Sequence, residues 1–166
     1  MKLSELMQGK TPNADYEGFV TCDDMVLAVD ITGAANTADG DFVVVQMGVE
    51  GLDAQNNPKT VDKQYIRAGQ STLKTGSQRT FKITGDRYIG DAFQDFACAP
   101  AVVQGVGQAF VVPYLYFCLL TGKGERGTAS VIVNSDGSGK SGDNAAVDIE
   151  LKKCGAMPSA YTYAAK

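Results

Sequence analysis

The chain has 166 residues, 44% of them apolar, with a formal charge of −4 and an isoelectric point near 4.8. That length and apolar content fit one folded domain, residues 1–166, and exclude wholesale disorder. No basic run occurs, which argues against tight phosphate-mediated binding of nucleic acid, though not against handling nucleic acid without binding it.

Residues 1–16 are polar and lack a clear period beyond a short turn near Leu3–Met7, so they read as an N-terminal arm. The first ten residues contain no long apolar core, and no secretory signal is expected. Residues 19–31 predict a strand broken by Asp23 and Asp24. A loop follows over 32–40. The β-branched run at 41–49 predicts a strand covered on both faces. Residues 50–59, rich in turn formers, read as a polar loop.

Residues 60–85 predict one long β-hairpin. Residues 60–74 form its first strand, with Gly69 as a bulge, 75–77 its turn and 78–85 its return strand. Both faces look polar, which is odd for a monomer. A single amphipathic helix is predicted at about 86–99. Ile89, Phe93, Phe96 and Ala97 recur on one face, Asp86 is the expected N-cap, and Pro100 ends or kinks the helix.

Residues 109–120 predict a strand that Pro113 confines to an edge, an end or a bulge. The run is too short to span a bilayer. Two further strands are expected at 128–134 and 145–153, the second with one wet face, joined by a loop at 135–144. Residues 155–166 read as a C-terminal tail exposing Tyr161 and Tyr163. The fold class is therefore mainly β (α+β), with one flanking helix and many glycine turns.

Few residues point to chemistry. The sequence from Gly137 to Ser141 ends like a phosphate-binding loop, but Asn134 stands where that loop needs glycine, and an alternating strand follows instead of a helix. A calcium loop there lacks the anchoring glutamate. With no histidine and no CxxC pair, neither a mixed zinc site nor the common general base is available. The four cysteines read as free thiols of a reducing compartment. Asp91 and Asp95, four apart, fit a solvated helix face better than a catalytic carboxylate pair. No enzyme, cofactor or metal site is expected.

What remains is suited to assembly: terminal arms, a two-faced hairpin, and strand edges that can pair with another chain. The alternative is that these are ordinary mobile loops. Gln64–Phe96 resembles tail tube proteins (major tail proteins) of long-tailed bacteriophages and related phage-tail-like particles, and the likeness extends over about 19–157. The resemblance implies a β-sandwich or barrel-like fold, similar to type VI secretion tube proteins. It implies hexameric rings stacked into a hollow tube for DNA, built with tape-measure, tail-terminator and tail-tip proteins. It places the protein in a virion tail assembled in the host bacterial cytoplasm, with no membrane partner. An acidic protein suits a DNA conduit, since like charge keeps DNA from sticking.

The self-assembly candidates are Glu50, Asp53, Asn56, Asn57, Lys59, Lys63, Arg67, Lys74, Arg79, Lys82, Tyr161 and Tyr163. The hairpin cations among them run against a uniformly acidic lumen and are expected at subunit interfaces. Two other readings stand beside this one. The first is the inner tube of a contractile or type VI-like injection machine. The second is a monomeric ligand-binding β-domain or hydrolase dependent on Lys140.

Overall fold

The computed structural model describes residues 1–33 and 38–164. The predicted loop at 32–40 and the end of the tail at 155–166 therefore lie partly outside the described residues. The chain is mainly β, its main sheet curled into a half-barrel. Strands β1 (Met25–Val29), β2 (Val43–Val44), β3 (Val49–Gln55), β6 (Thr80–Asp86), β7 (Val111–Cys118), β8 (Lys123–Ser138) and β9 (Ala146–Lys153) run in the order β2-β1-β7-β8-β9-β6-β3. Every pairing is antiparallel, and β10 (Ser159–Thr162) adds to the first part of β8. A separate two-stranded ribbon joins β4 (Pro58–Tyr65) to β5 (Gly69–Ser77).

The alternation of side chains explains why β1 is apolar throughout. Leu27 and Val29 enter one cluster with Phe81, Ile83, Tyr114, Ile149 and Leu151, inside the curl. Val26 and Ala28 point the other way, into a second cluster with Leu3, Phe42, Leu115, Phe117 and Tyr161. Each large side chain so buried contributes about 1.5–3 kcal/mol. Two-sided coverage at 41–49 holds: Val43 and Val45 join the first cluster, Phe42 and Val44 the second. Ladder pairing there is short, because Gly48, at φ 71°, turns the chain into β3.

Several expectations are corrected. The N-terminal arm is docked: helix α1 (Leu3–Leu6) buries Leu3 in the second cluster and covers the β2 edge, its Leu3 N–H donating to Phe42 O at 2.8 Å. The polar loop at 50–59 is mostly strand β3, with Leu52 and Ala54 packed inward against the first cluster. The hairpin turns at 66–68, not 75–77, and β6 leaves it to join the main sheet between β3 and β9. Pro113 sits in a central strand, but β1 ends opposite Tyr114. The Pro113 carbonyl accepts from Asp30 N–H just past that end; proline has no N–H to return the bond, and the β1–β7 ladder stops there.

The helix is also shorter than predicted. Asp86 ends β6, and α2 (Ala92–Ala97) starts at Asp91, whose carboxylate accepts the Gln94 N–H at 3.0 Å. Pro100 opens a second short helix, α3 (Pro100–Val103), at the first-turn position that needs no N–H. Phe93 and Ala97 are fully buried as expected, whereas Ile89 is 83% exposed on the loop before the helix. Gln94 is buried. Its amide oxygen accepts from Tyr88 N–H at 2.9 Å, and its amide nitrogen donates to Met47 O at 2.6 Å and Asp86 O at 3.1 Å.

Candidate assembly surface

The ribbon of β4 and β5 grows from a turn at Asn56 and Asn57, where Asn57 adopts φ 38°, a left-handed conformation that asparagine tolerates better than most residues. Its tip is a three-residue loop closed by the Tyr65–Gly69 pair, with Arg67 at φ 68° and Gly69 at φ 75°. A register shift between Lys59 and Thr60 leaves Thr75 unpaired in the ladder, and the Thr75 hydroxyl donates to Lys59 O at 3.3 Å.

Pairing of Val61 with Leu73 and Lys63 with Ser71 sorts the side chains onto two faces. One face carries Lys59, Val61, Lys63, Tyr65 and Leu73. The other carries Thr60, Asp62, Gln64, Gln70, Thr72 and Lys74, with the Thr72 hydroxyl donating to Asp62 at 2.7 Å. Among the described residues the ribbon has no extensive packing against another element. Val61, Tyr65 and Leu73 are therefore each 43–49% exposed, and Ile66 at the tip is 93% exposed. A two-stranded ribbon in water is marginal on its own, so an apolar, cationic face held clear of the body is suited to a partner.

The structure gathers only some of the sequence candidates here. Lys59 and Lys63 flank the apolar residues, Arg67 is at the tip, and Lys74 is on the opposite face. Glu50 lies at a bulge of β3, and Asp53 faces outward opposite Lys82. Lys82 pairs with Asp148 of its own chain at 3.2 Å. Arg79 lies beneath the ribbon. It pairs with Glu125 at 2.7 Å, donates to Asn56 Oδ1 at 3.1 Å, and lies 4.6 Å from the Phe81 ring centroid and 5.1 Å from that of Tyr116. Asn57 donates to the Thr80 hydroxyl at 3.3 Å.

The two tail tyrosines are not exposed side by side. Tyr161 is buried in the second cluster, and Tyr163 stacks on Phe117 with ring centroids 6.0 Å apart. Burial pushes the Tyr161 hydroxyl well above the usual tyrosine range, and the neighbouring Asp39 carboxylate adds to the shift. The apolar residues Val61, Tyr65 and Leu73 were missed because the ribbon was read in the wrong register. Pairing Val61 with Leu73 and Tyr65 with Gly69 brings them onto one face.

Among the described residues, no three cysteine or acidic side chains are placed to hold a metal ion, and no helix is long and apolar enough to cross a membrane. The stretch Gly137–Ser141 lies across the end of β8 and the turn into β9, with no helix to receive a phosphate. Asp95 pairs with Arg87 at 2.7 Å, while Asp91 is a buried cap, so the two carboxylates share no wet face.

No protein-family model and no curated protein matches the sequence. Solved structures do. A chain in the tail of an empty GTA particle, refined helically with C6 symmetry, superposes with a TM-score of 0.59 at 19% identity, covering 86% of this chain and 98% of that one. A chain in the virion of a native gene transfer agent particle gives 0.54 at 16% identity, covering 87% and 98%. A chain of the sheath–tube complex of a PVC extracellular contractile injection system, in the extended state, gives 0.50 at 9% identity, covering 90% and 94%. These neighbours are structural parts of particles, not enzymes. Over most of its length the chain thus has a fold shared with the tail tube proteins of phage-like particles and contractile injection systems.

Proposed function

We propose that this chain is a structural subunit that self-assembles into the hollow tube of a phage or phage-tail-like particle. The observation that carries the reading is the β4–β5 ribbon, an apolar and cationic face held in solvent by a fold shared with tail tubes. In a lone subunit that face destabilises by exposure; against a second copy it is buried. The six-fold symmetry of the related GTA tail supports rings of six copies stacked end on end. DNA passes through the tube during ejection without specific binding, in keeping with the net charge of −4.

Tape-measure, tail-terminator and tail-tip proteins are the further partners of this reading. The place of action is a virion tail, assembled in the bacterial host's cytoplasm. Electron microscopy of the purified full-length protein, with and without a tail-tip nucleator, tests it: stacked rings or tubes are the expected result. Monomers that persist at high concentration even with the nucleator contradict it. The likeness to the PVC chain favours a second reading, the inner tube of a contractile injection machine. Co-purification with a sheath protein separates the two.

A further inference from the structure

A second exposed apolar feature stands at the far end of strand β6. Residues 87–91 link β6 to α2 and present Tyr88, 49% exposed, and Ile89, 83% exposed. Such a loop is ordinarily free to fold these side chains away from water. This one is pinned. The Arg87 guanidinium donates to Tyr88 O and to Asp95, each at 2.7 Å, and Arg87 N–H donates to Ala145 O at 2.7 Å. Gly90 N–H donates to the other Asp95 oxygen at 2.9 Å, and Tyr88 N–H to the buried Gln94 side chain at 2.9 Å. An apolar knob held in one conformation before binding gives up little entropy on docking.

We propose that the Tyr88–Ile89 knob of one copy docks on the Val61–Leu73 face of the β4–β5 ribbon of the next copy. The inference rests on the tube reading and names the contact that joins its subunits. Charge supports the pairing. The ribbon carries four cations, Lys59, Lys63, Arg67 and Lys74, against one carboxylate, Asp62, and the apolar face itself has Lys59 and Lys63 and no acid. Beside the knob, Asp86 ends β6 and its carboxylate accepts from Asn144 at 2.6 Å; the turn that carries Asn144 holds Asp143 and Lys140 and adds no net charge. Arg87 and Asp95 neutralise each other, which leaves Asp86 as the carboxylate beside the knob that meets the cations of the ribbon.

Position supports it as well. The ribbon is rooted at the start of β6 and the knob at its end, about 20 Å apart for a strand of this length. Two complementary surfaces at opposite ends of one strand stand apart in one copy, and between copies they make a head-to-tail contact. Such a contact closes into rings or propagates as a filament.

The test uses two full-length variants, Ile89→Lys, which meets the ribbon's cations with a like charge, and the double variant Val61→Thr with Leu73→Thr, which removes the apolar contact. All three positions are exposed and threonine suits a strand, so both proteins keep the wild-type melting temperature. Each alone forms no tubes by electron microscopy. Mixed in equal amounts, they associate in sedimentation velocity into a species absent from either alone, because each still carries one intact surface. If wild-type protein forms tubes and Ile89→Lys forms them equally, or if the mixture shows no species beyond those of its components, the contact is wrong while the tube reading stands. If wild-type protein forms no tubes even with a nucleator, both fall.

Discussion

The Arg87 guanidinium donates to the Asp95 carboxylate at 2.7 Å, across eight residues of chain, and this pair sets the shape of the loop before α2. The hydrogen bond from Arg87 holds the Asp95 carboxyl below its ordinary value of 3.8; partial burial opposes it, and the Gly90 N–H adds to it. A carboxyl depressed by folding supports the fold above its unfolded pKa, and that support is lost as pH falls through the lower folded value. The loop is therefore expected to hold above about pH 4. Below that, Gly90 should lose protection in amide hydrogen exchange, while Asp95→Asn shows weak protection at every pH. Protection unchanged between pH 5 and pH 2 in the wild type would contradict the clamp.

Gln94 is expected to matter more than any charged residue of the helix. Its amide makes three hydrogen bonds to the backbone of three separate residues. Gln94→Leu keeps the volume roughly but strands those partners, at a cost of about 2 kcal/mol or more. Chemical denaturation reads this directly; a loss under about 0.5 kcal/mol would show that water replaces the amide.

Phe93→Ala removes the largest buried side chain of α2, which joins the helix to the cluster inside the curl. The expected loss is about 3–5 kcal/mol. Ile89→Ala, four residues earlier and exposed, should stay within about 0.5 kcal/mol. Equal effects at the two positions would mean that α2 is wrongly placed.

Tyrosine ionisation offers a test of the two clusters. Burial raises the hydroxyls of Tyr114, Tyr116 and Tyr161, with Glu125 adding to the first and Asp39 to the last. A group raised by folding stabilises fully below its unfolded pKa, near 10, and less as pH climbs. Absorbance titration should therefore find these three ionising above the ordinary tyrosine range. Tyr161→Phe should leave the late fraction smaller by one residue.

How legible this was in the sequence depended on period and burial together. Strands whose alternation is strongly apolar, such as Val147, Ile149 and Leu151, are found where expected. β3 was hidden because its only inward apolar residues after the bulge, Leu52 and Ala54, sit among glycine, aspartate and glutamine. The ribbon existed in the sequence reading but its turn did not. The turn uses Arg67 in a left-handed conformation, which propensity disfavours, while Thr75–Ser77 has turn composition yet forms strand around a bulge. Asp86 looked like a cap because caps and strand ends share residue types; Asp91 took the role once β6 had claimed Asp86. The buried polar role of Gln94 and the docking of Tyr161 depend on tertiary contacts that no local pattern announces.

The central claim is that this chain builds a tube from copies of itself through the β4–β5 ribbon. A cryo-electron microscopy map of particles assembled from the full-length protein tests that most directly. The account predicts stacked rings in which Val61, Tyr65 and Leu73 are buried against a neighbouring subunit. Rings that leave this ribbon face in solvent, or protein that never leaves the monomeric state with a nucleator present, would contradict it.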